Sequence, residues 1–217
     1  MKIKNIYIMK NIRISNLILF ALFFLAIGFT SCDDTNEIEL VDEIEALTED
    51  EVTNLLFMRE EEKLARDAYL YFYDNYELNI FNNIATSEQV HMDAVLTVME
   101  KYGVKDVASS ELGVFTNGTL QQLYDDLIAQ GNTSLADALT VGVTIEDVDI
   151  HDLANAIDVT SQADIINMYE MLACGSRNHM RGFSSQLNAQ GETYTPQFIT
   201  QEQFDEIIDA VHEQCKM

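Results

Sequence analysis

Six side chains able to ligate a metal ion recur at helical intervals: Glu62, Glu88 with His91, Glu146 with Asp149, and His179. The stretch T-S-E-Q-V-H-M over 86–92 sets Glu88 and His91 three residues apart, which places both on one helical face. Glu146 and Asp149 repeat that spacing. Such pairs reach neighbouring coordination positions, and carboxylates with one or two imidazoles suit iron or manganese. A buried acid is costly unless it is paired, protonated or bound to a cation, so acids on an otherwise apolar stripe need a reason.

Four long amphipathic segments carry these residues. The first runs from Leu47 to about Tyr76, opened by the capping box of Thr48 and Glu51. Its stripe is Leu55, Met58, Glu62, Ala65, Tyr69 and Phe72, with Glu60, Lys63 and Asp67 facing away. The second starts at Ile80 or Ser87 and ends at Tyr102 before Gly103, with Ile84, Glu88, His91, Val95, Val98 and Tyr102 on one face. The third covers about Ser134–Ile157, carrying Glu146, Asp149 and Leu153. The fourth covers about Ser161–Ala189, with Ile165, Met168, Leu172, Ser176, His179 and Phe183 inward. Short helices are expected at 119–130 and at about Thr200–Glu213. The sequence predicts an all-α domain over 47–217: a four-helix bundle with a long crossover between its second and third helices, plus a C-terminal helix.

Other polar residues have plainer readings. Glu61 falls beside the inward stripe, where it either joins Glu62 on the core side or is a solvated or supporting acid; His151 and Asp152 lie on the outer side of their helix, and His212 is a surface histidine. Tyr69 and Tyr102 belong to the core. Arg177 and Arg181 flank His179 and either pair with acids or orient the site.

Composition supports the helical reading and narrows the partners. One proline and nine glycines in 217 residues disfavour a turn-rich β architecture. A formal charge of −25 excludes nucleic acid, whose phosphates would be repelled.

The first 31 residues differ from the rest. Lys2, Lys4, Lys10 and Arg13 precede the apolar run L-I-L-F-A-L-F-F-L-A-I-G-F and then T-S-C. This resembles a bacterial lipoprotein signal peptide, with Cys32 as the lipidated residue and 32–46 as an acidic tether. An ordinary signal peptide and an uncleaved anchor helix are the alternatives. The pattern implies export and a lipid anchor at the cell envelope, on the outer membrane or cell surface. Cys174 and Cys215 then remain, and the sequence leaves open whether they pair.

E-K-L-A-R-D-A-Y (62–69) followed by E-Q-V-H (88–91) resembles the first half of a rubrerythrin or ferritin-like di-iron domain. With V-G-V-T-I-E-D-V-D-I-H-D-L and G-S-R-N-H-M-R-G-F added, the pattern is similar to the exported domain of unknown function 2202 family, placed in the ferritin-like superfamily. The similarity spans about 48–190. It implies that Glu62 is a ligand of the first helix, that Glu88 bridges two ions beside His91, and that Glu146 and Asp149 stand where some members have E-x-x-E. The fourth helix departs: S-R-N-H stands where E-x-x-H is expected, so Ser176 replaces the second glutamate and leaves only His179. The resemblance implies a dinuclear iron or manganese site that oxidises ferrous ion or reduces peroxide. Without a rubredoxin-like C-x-x-C, electrons would come from an external donor. The competing expectation is a non-catalytic metal-binding or surface scaffold module with a degenerate site.

Overall fold

The computed structural model describes residues 45–216. The signal segment, Cys32 and the tether as far as residue 44 lie outside the described residues. Within them are six helices and no strand: α1 Glu49–Tyr76, α2 Asn79–Lys101, α3 Gly118–Gly131, α4 Leu135–Asp158, α5 Ala163–Ala189 and α6 Gln201–Asp209.

Local signals start most of these helices. Thr48 and Glu51 close a reciprocal cap on α1, Asn117 caps α3, Ser134 caps α4, and Thr200 with Gln203 closes a second capping box on α6. Gly103, after α2, holds φ at +69°, a backbone region that glycine enters without strain.

The four long helices close a ring, because α1 packs on α2, α2 on α5, α5 on α4 and α4 on α1. The short connections at 77–78 and 159–162 make α1–α2 and α4–α5 antiparallel hairpins. The segment 102–134 joins the hairpins and contains α3, which lies against α1 and α4, while α6 lies against α5. Two apolar clusters fill the ring. One gathers Tyr69, Phe72, Phe81, Leu139 and Phe183; the other gathers Leu55, Met58, Val95, Met99, Leu153 and Leu172.

Two expectations need correction. Glu60, Lys63 and Asp67 do not face solvent; all three are buried beneath the loop 103–117. Lys63 Nζ bonds Asp67 at 2.5 Å and donates to the carbonyls of Glu111 and Val114. Asp67 also accepts from Arg66 and from the Gly113 amide, and Glu60 accepts the amides of Thr116 and Asn117. The helix thus buries a second, polar face, which hydrophobic periodicity does not reveal.

The last helix also stops earlier than expected. After Asp209 the chain turns extended at Ala210, so that Glu213 can bond Arg177 and Arg181. Cys215 then joins Cys174 in a disulfide. The two arginines therefore hold the C-terminal tail rather than the interior acids.

Candidate metal centre

All six candidate residues come together between the two apolar clusters, one level deep in the ring. Glu62, Glu88, His91, Glu146, Asp149 and His179 are each at most 8% exposed. α1 contributes Glu62, α2 Glu88 and His91, α4 Glu146 and Asp149, and α5 His179 with Ser176. The apolar stripes above and below dictate this convergence: burying Leu55, Met58 and Phe72 carries Glu62 inward with them.

The ligand atoms form two triads that share Glu88: Glu62–Glu88–His91 and Glu88–Glu146–His179, each with donor atoms within 4.8 Å of one another. His91 Nδ1 lies 2.7 Å from Glu88 Oε2 and 3.2 Å from Glu62 Oε2. His179 Nδ1 lies 2.8 Å from Glu88 Oε1 and 3.5 Å from Glu146 Oε2. The shared carboxylate turns one oxygen to each imidazole.

His179 Nδ1 and Glu88 Oε1 are both buried without a hydrogen-bond partner despite their 2.8 Å separation. Glu62 Oε1 and Asp149 Oδ1 are likewise orphaned. Two donors each about 2.1 Å from one ion, at right angles, stand about 3 Å apart. The orphaned atoms and their spacing therefore fit divalent ions, and the mixed oxygen and imidazole set suits iron or manganese.

The charges are balanced in an unusual way. Burial pushes the His179 imidazole down, but Glu88 and Glu146 overcome this and raise it to about 10. His91 is raised well above its ordinary range, with Glu62 and Glu88 outweighing burial. Burial would raise Glu88, yet the two imidazoles hold it well below the usual carboxylate range. Burial raises Glu62 to about 7 against the pull of His91, and raises Glu146 against that of His179. Asp149 is pushed well up by burial and then by Glu62 and Glu146. Without metal, the imidazolium protons supply the positive charge that a cation would replace.

Several supporting residues escaped the sequence reading. Tyr69, fully buried, donates to Glu146 Oε1 at 2.5 Å. Ser176 donates to Asp149 Oδ2, and Ser87 Oγ lies 3.0 Å from His179 Nε2. Such contacts fix the orientation of a ligand and the tautomer of an imidazole. Gly175 is needed for space: a Cβ there would come within 2.4 Å of His91 Nε2. Glycine inside a helix is disfavoured by about 1 kcal/mol, so G-S-R-N-H did carry a signal of close approach. Ser87 had none.

Glu61 is 4% exposed and buried against α4, with both oxygens unpartnered. Asp152, expected outside, is only partly exposed and comes within hydrogen-bonding reach of Glu61. His151 is on the outer side, bonding Asp152 at 2.9 Å, and His212 is exposed.

A family model described as an uncharacterized protein domain, DUF2202, matches residues 51–211. The chain belongs to that family. The matched span contains every helix from α1 to α6 except the first residues of α1, and all six candidate ligands. The DUF2202 chain is 51% identical over 165 residues to the uncharacterized protein MJ0754 of Methanocaldococcus jannaschii, a match covering 76% of this chain and 89% of the relative. A crystal structure of the hypothetical protein MJ0754 from Methanococcus jannaschii superposes with a TM-score of 0.77 at 50% identity, covering 78% of this chain and 97% of that one.

Proposed function

We propose that this DUF2202 protein is a ferritin-like protein that binds two iron ions, or manganese in their place, between Glu62, Glu88, His91, Glu146, Asp149 and His179. The observation that carries the reading is the shared carboxylate: Glu88 faces one imidazole with each oxygen, at 2.7 and 2.8 Å, while Glu62 Oε1 and Asp149 Oδ1 beside it are buried with no donor. A ring of four long helices with a long connection between its hairpins, and ligands projecting inward from all four, is the arrangement carboxylate-bridged bundles use.

Glu62 and His91 would hold one ion, Glu146 and His179 the other, with Glu88 between them. Asp149, fixed by Ser176, would supply a carboxylate in place of the glutamate that the fourth helix lacks. Tyr69 holds Glu146 and Ser87 holds His179, so the ligands are oriented before an ion arrives. The two apolar clusters exclude water on either side. Bound iron would supply redox chemistry toward oxygen or peroxide, with electrons for repeated turnover drawn from an external donor. The N-terminal pattern supports export and a lipid anchor on Cys32, which would tether the domain at the bacterial envelope.

The second reading is a non-catalytic metal-binding or surface scaffold module. Ser176, buried on α5 where the resemblance expects a glutamate, favours it. Elemental analysis of protein from iron-supplemented cells separates the outcomes. Two ions per chain with peroxide consumption support the catalytic reading; two ions without turnover support the scaffold. Metal content no higher than in a Glu88→Ala/His91→Ala double variant, with an equal melting midpoint, sinks both.

A further inference from the structure

Among the described residues, buried acids outside the six candidate ligands are all satisfied, with one exception. Glu60 receives two backbone amides, Asp67 receives lysine, arginine and amide donors, and Asp147 receives a tyrosine and three amides. Glu61 receives none: it is 4% exposed, and no donor reaches either of its oxygens. What stands opposite is another acid, Asp152 of α4, within hydrogen-bonding reach. The Asp152 side chain is 28% exposed and touches His151 Nδ1 at 2.9 Å, so this end of the pair meets solvent.

The inner end leads to the dinuclear site. Glu61 adjoins Glu62 along α1, and Asp152 lies one turn beyond Asp149 on α4, on the same face. After Asp152, the charges acting on Glu61 are those of Asp149 and then Glu62. A line of carboxylates therefore runs along the α1–α4 seam from half-exposed Asp152 through Glu61 to Asp149. Opposed carboxylates, the buried one with no donor on either oxygen, are what a hard divalent cation would reconcile, because it takes oxygen ligands from both.

We propose that Glu61 and Asp152 form a separate binding point for a divalent cation, through which ions reach the buried pair. The inference rests on the dinuclear reading only for the destination of the ions; the Glu61–Asp152 point stands on its own residues.

Two measurements on the purified full chain test it. Crystals soaked in manganese(II) should show anomalous density between Glu61 and Asp152, besides the positions between the triads, and an Asp152→Asn variant should lose only the outer peak. Stopped-flow loading of cobalt(II), followed by its absorbance, should slow about tenfold in Asp152→Asn and in Glu61→Gln, with the final cobalt content unchanged. Asp152 is partly exposed, so its variant folds whatever becomes of Glu61→Gln. Density in the inner positions alone, with loading as fast as in the parent, overturns this inference and leaves the dinuclear reading standing. Density at Glu61–Asp152 alone upholds it and sinks that reading, and density at neither place overturns both.

Discussion

Asp147 and Asp149 sit two residues apart on α4, both buried, and they live in opposite circumstances. Asp147 accepts from Tyr194 and from the amides of Gln197, Phe198 and Ile199, which pins the segment before α6 to the ring. Asp149 receives one donor, Ser176, keeps Oδ1 unpartnered, and faces Glu62 and Glu146. One acid is finished by the polypeptide; the other is left waiting. Burial of a charge therefore does not mark a site in this molecule, whereas burial with unfilled acceptors does.

Four perturbations test that contrast, beginning with the largest. Asp147→Ala strands three amides and should cost about 3 kcal/mol or more, equally with and without metal, as read from denaturant midpoints. A loss that metal repairs would abolish the distinction between the two acids. Glu88→Gln should weaken manganese(II) binding by about 100-fold, or about 2.7 kcal/mol, in calorimetric titration, because the side chain shared by both triads loses its charge and one of its two oxygens. Unchanged affinity would remove Glu88 from the site. Asp149→Asn should move the other way from Asp147→Ala: relieving a repelled carboxylate should raise metal-free stability by about 1 kcal/mol while metal affinity falls.

The fourth perturbation is the pH of the metal-free protein. His179 is raised from 6.5 to about 10 in the folded chain, so the stability it contributes is fully present below pH 6.5 and is lost as pH rises through 10. Glu62, raised from 4.5 to about 7, acts in the same direction over its own lower window. The metal-free melting midpoint should fall between pH 6.5 and 10, and bound metal should flatten that fall. A midpoint that climbs across this window would mean that the imidazoles are not charged in the folded protein.

The sequence disclosed the ring of helices more fully than the surroundings of its polar residues. Leu55, Met58, Ala65, Tyr69 and Phe72 recur with helical period, and the interruption by Glu62 is visible as an acid out of place. The capping residues Thr48, Ser134 and Thr200 mark helix starts to within a residue or two. Periodicity, however, assigns each helix a single inner face. It could not show that the loop 103–117 covers α1 from the other side, where Lys63 is entirely buried. Nor could it show that Glu213 returns to Arg177, since that ion pair joins residues 36 apart through a turn no periodic signal encodes. Glu61 illustrates the same limit: one step from a stripe residue, it could face inward or outward, and only the packing of α4 decides.

The hairpins divide the site unequally. The triad of Glu62, Glu88 and His91 belongs wholly to α1 and α2, whereas the triad of Glu88, Glu146 and His179 takes one residue from α2 and the others from α4 and α5. A chain emerging N-terminus first would complete one half-site from neighbouring segments while the second hairpin was still missing. Capture of an ion there would be an event of local folding, and filling the other half-site would be an event of docking, with Glu88 as the latch between the two halves. Occupancy would then report assembly: singly loaded molecules would be those whose hairpins have not yet met.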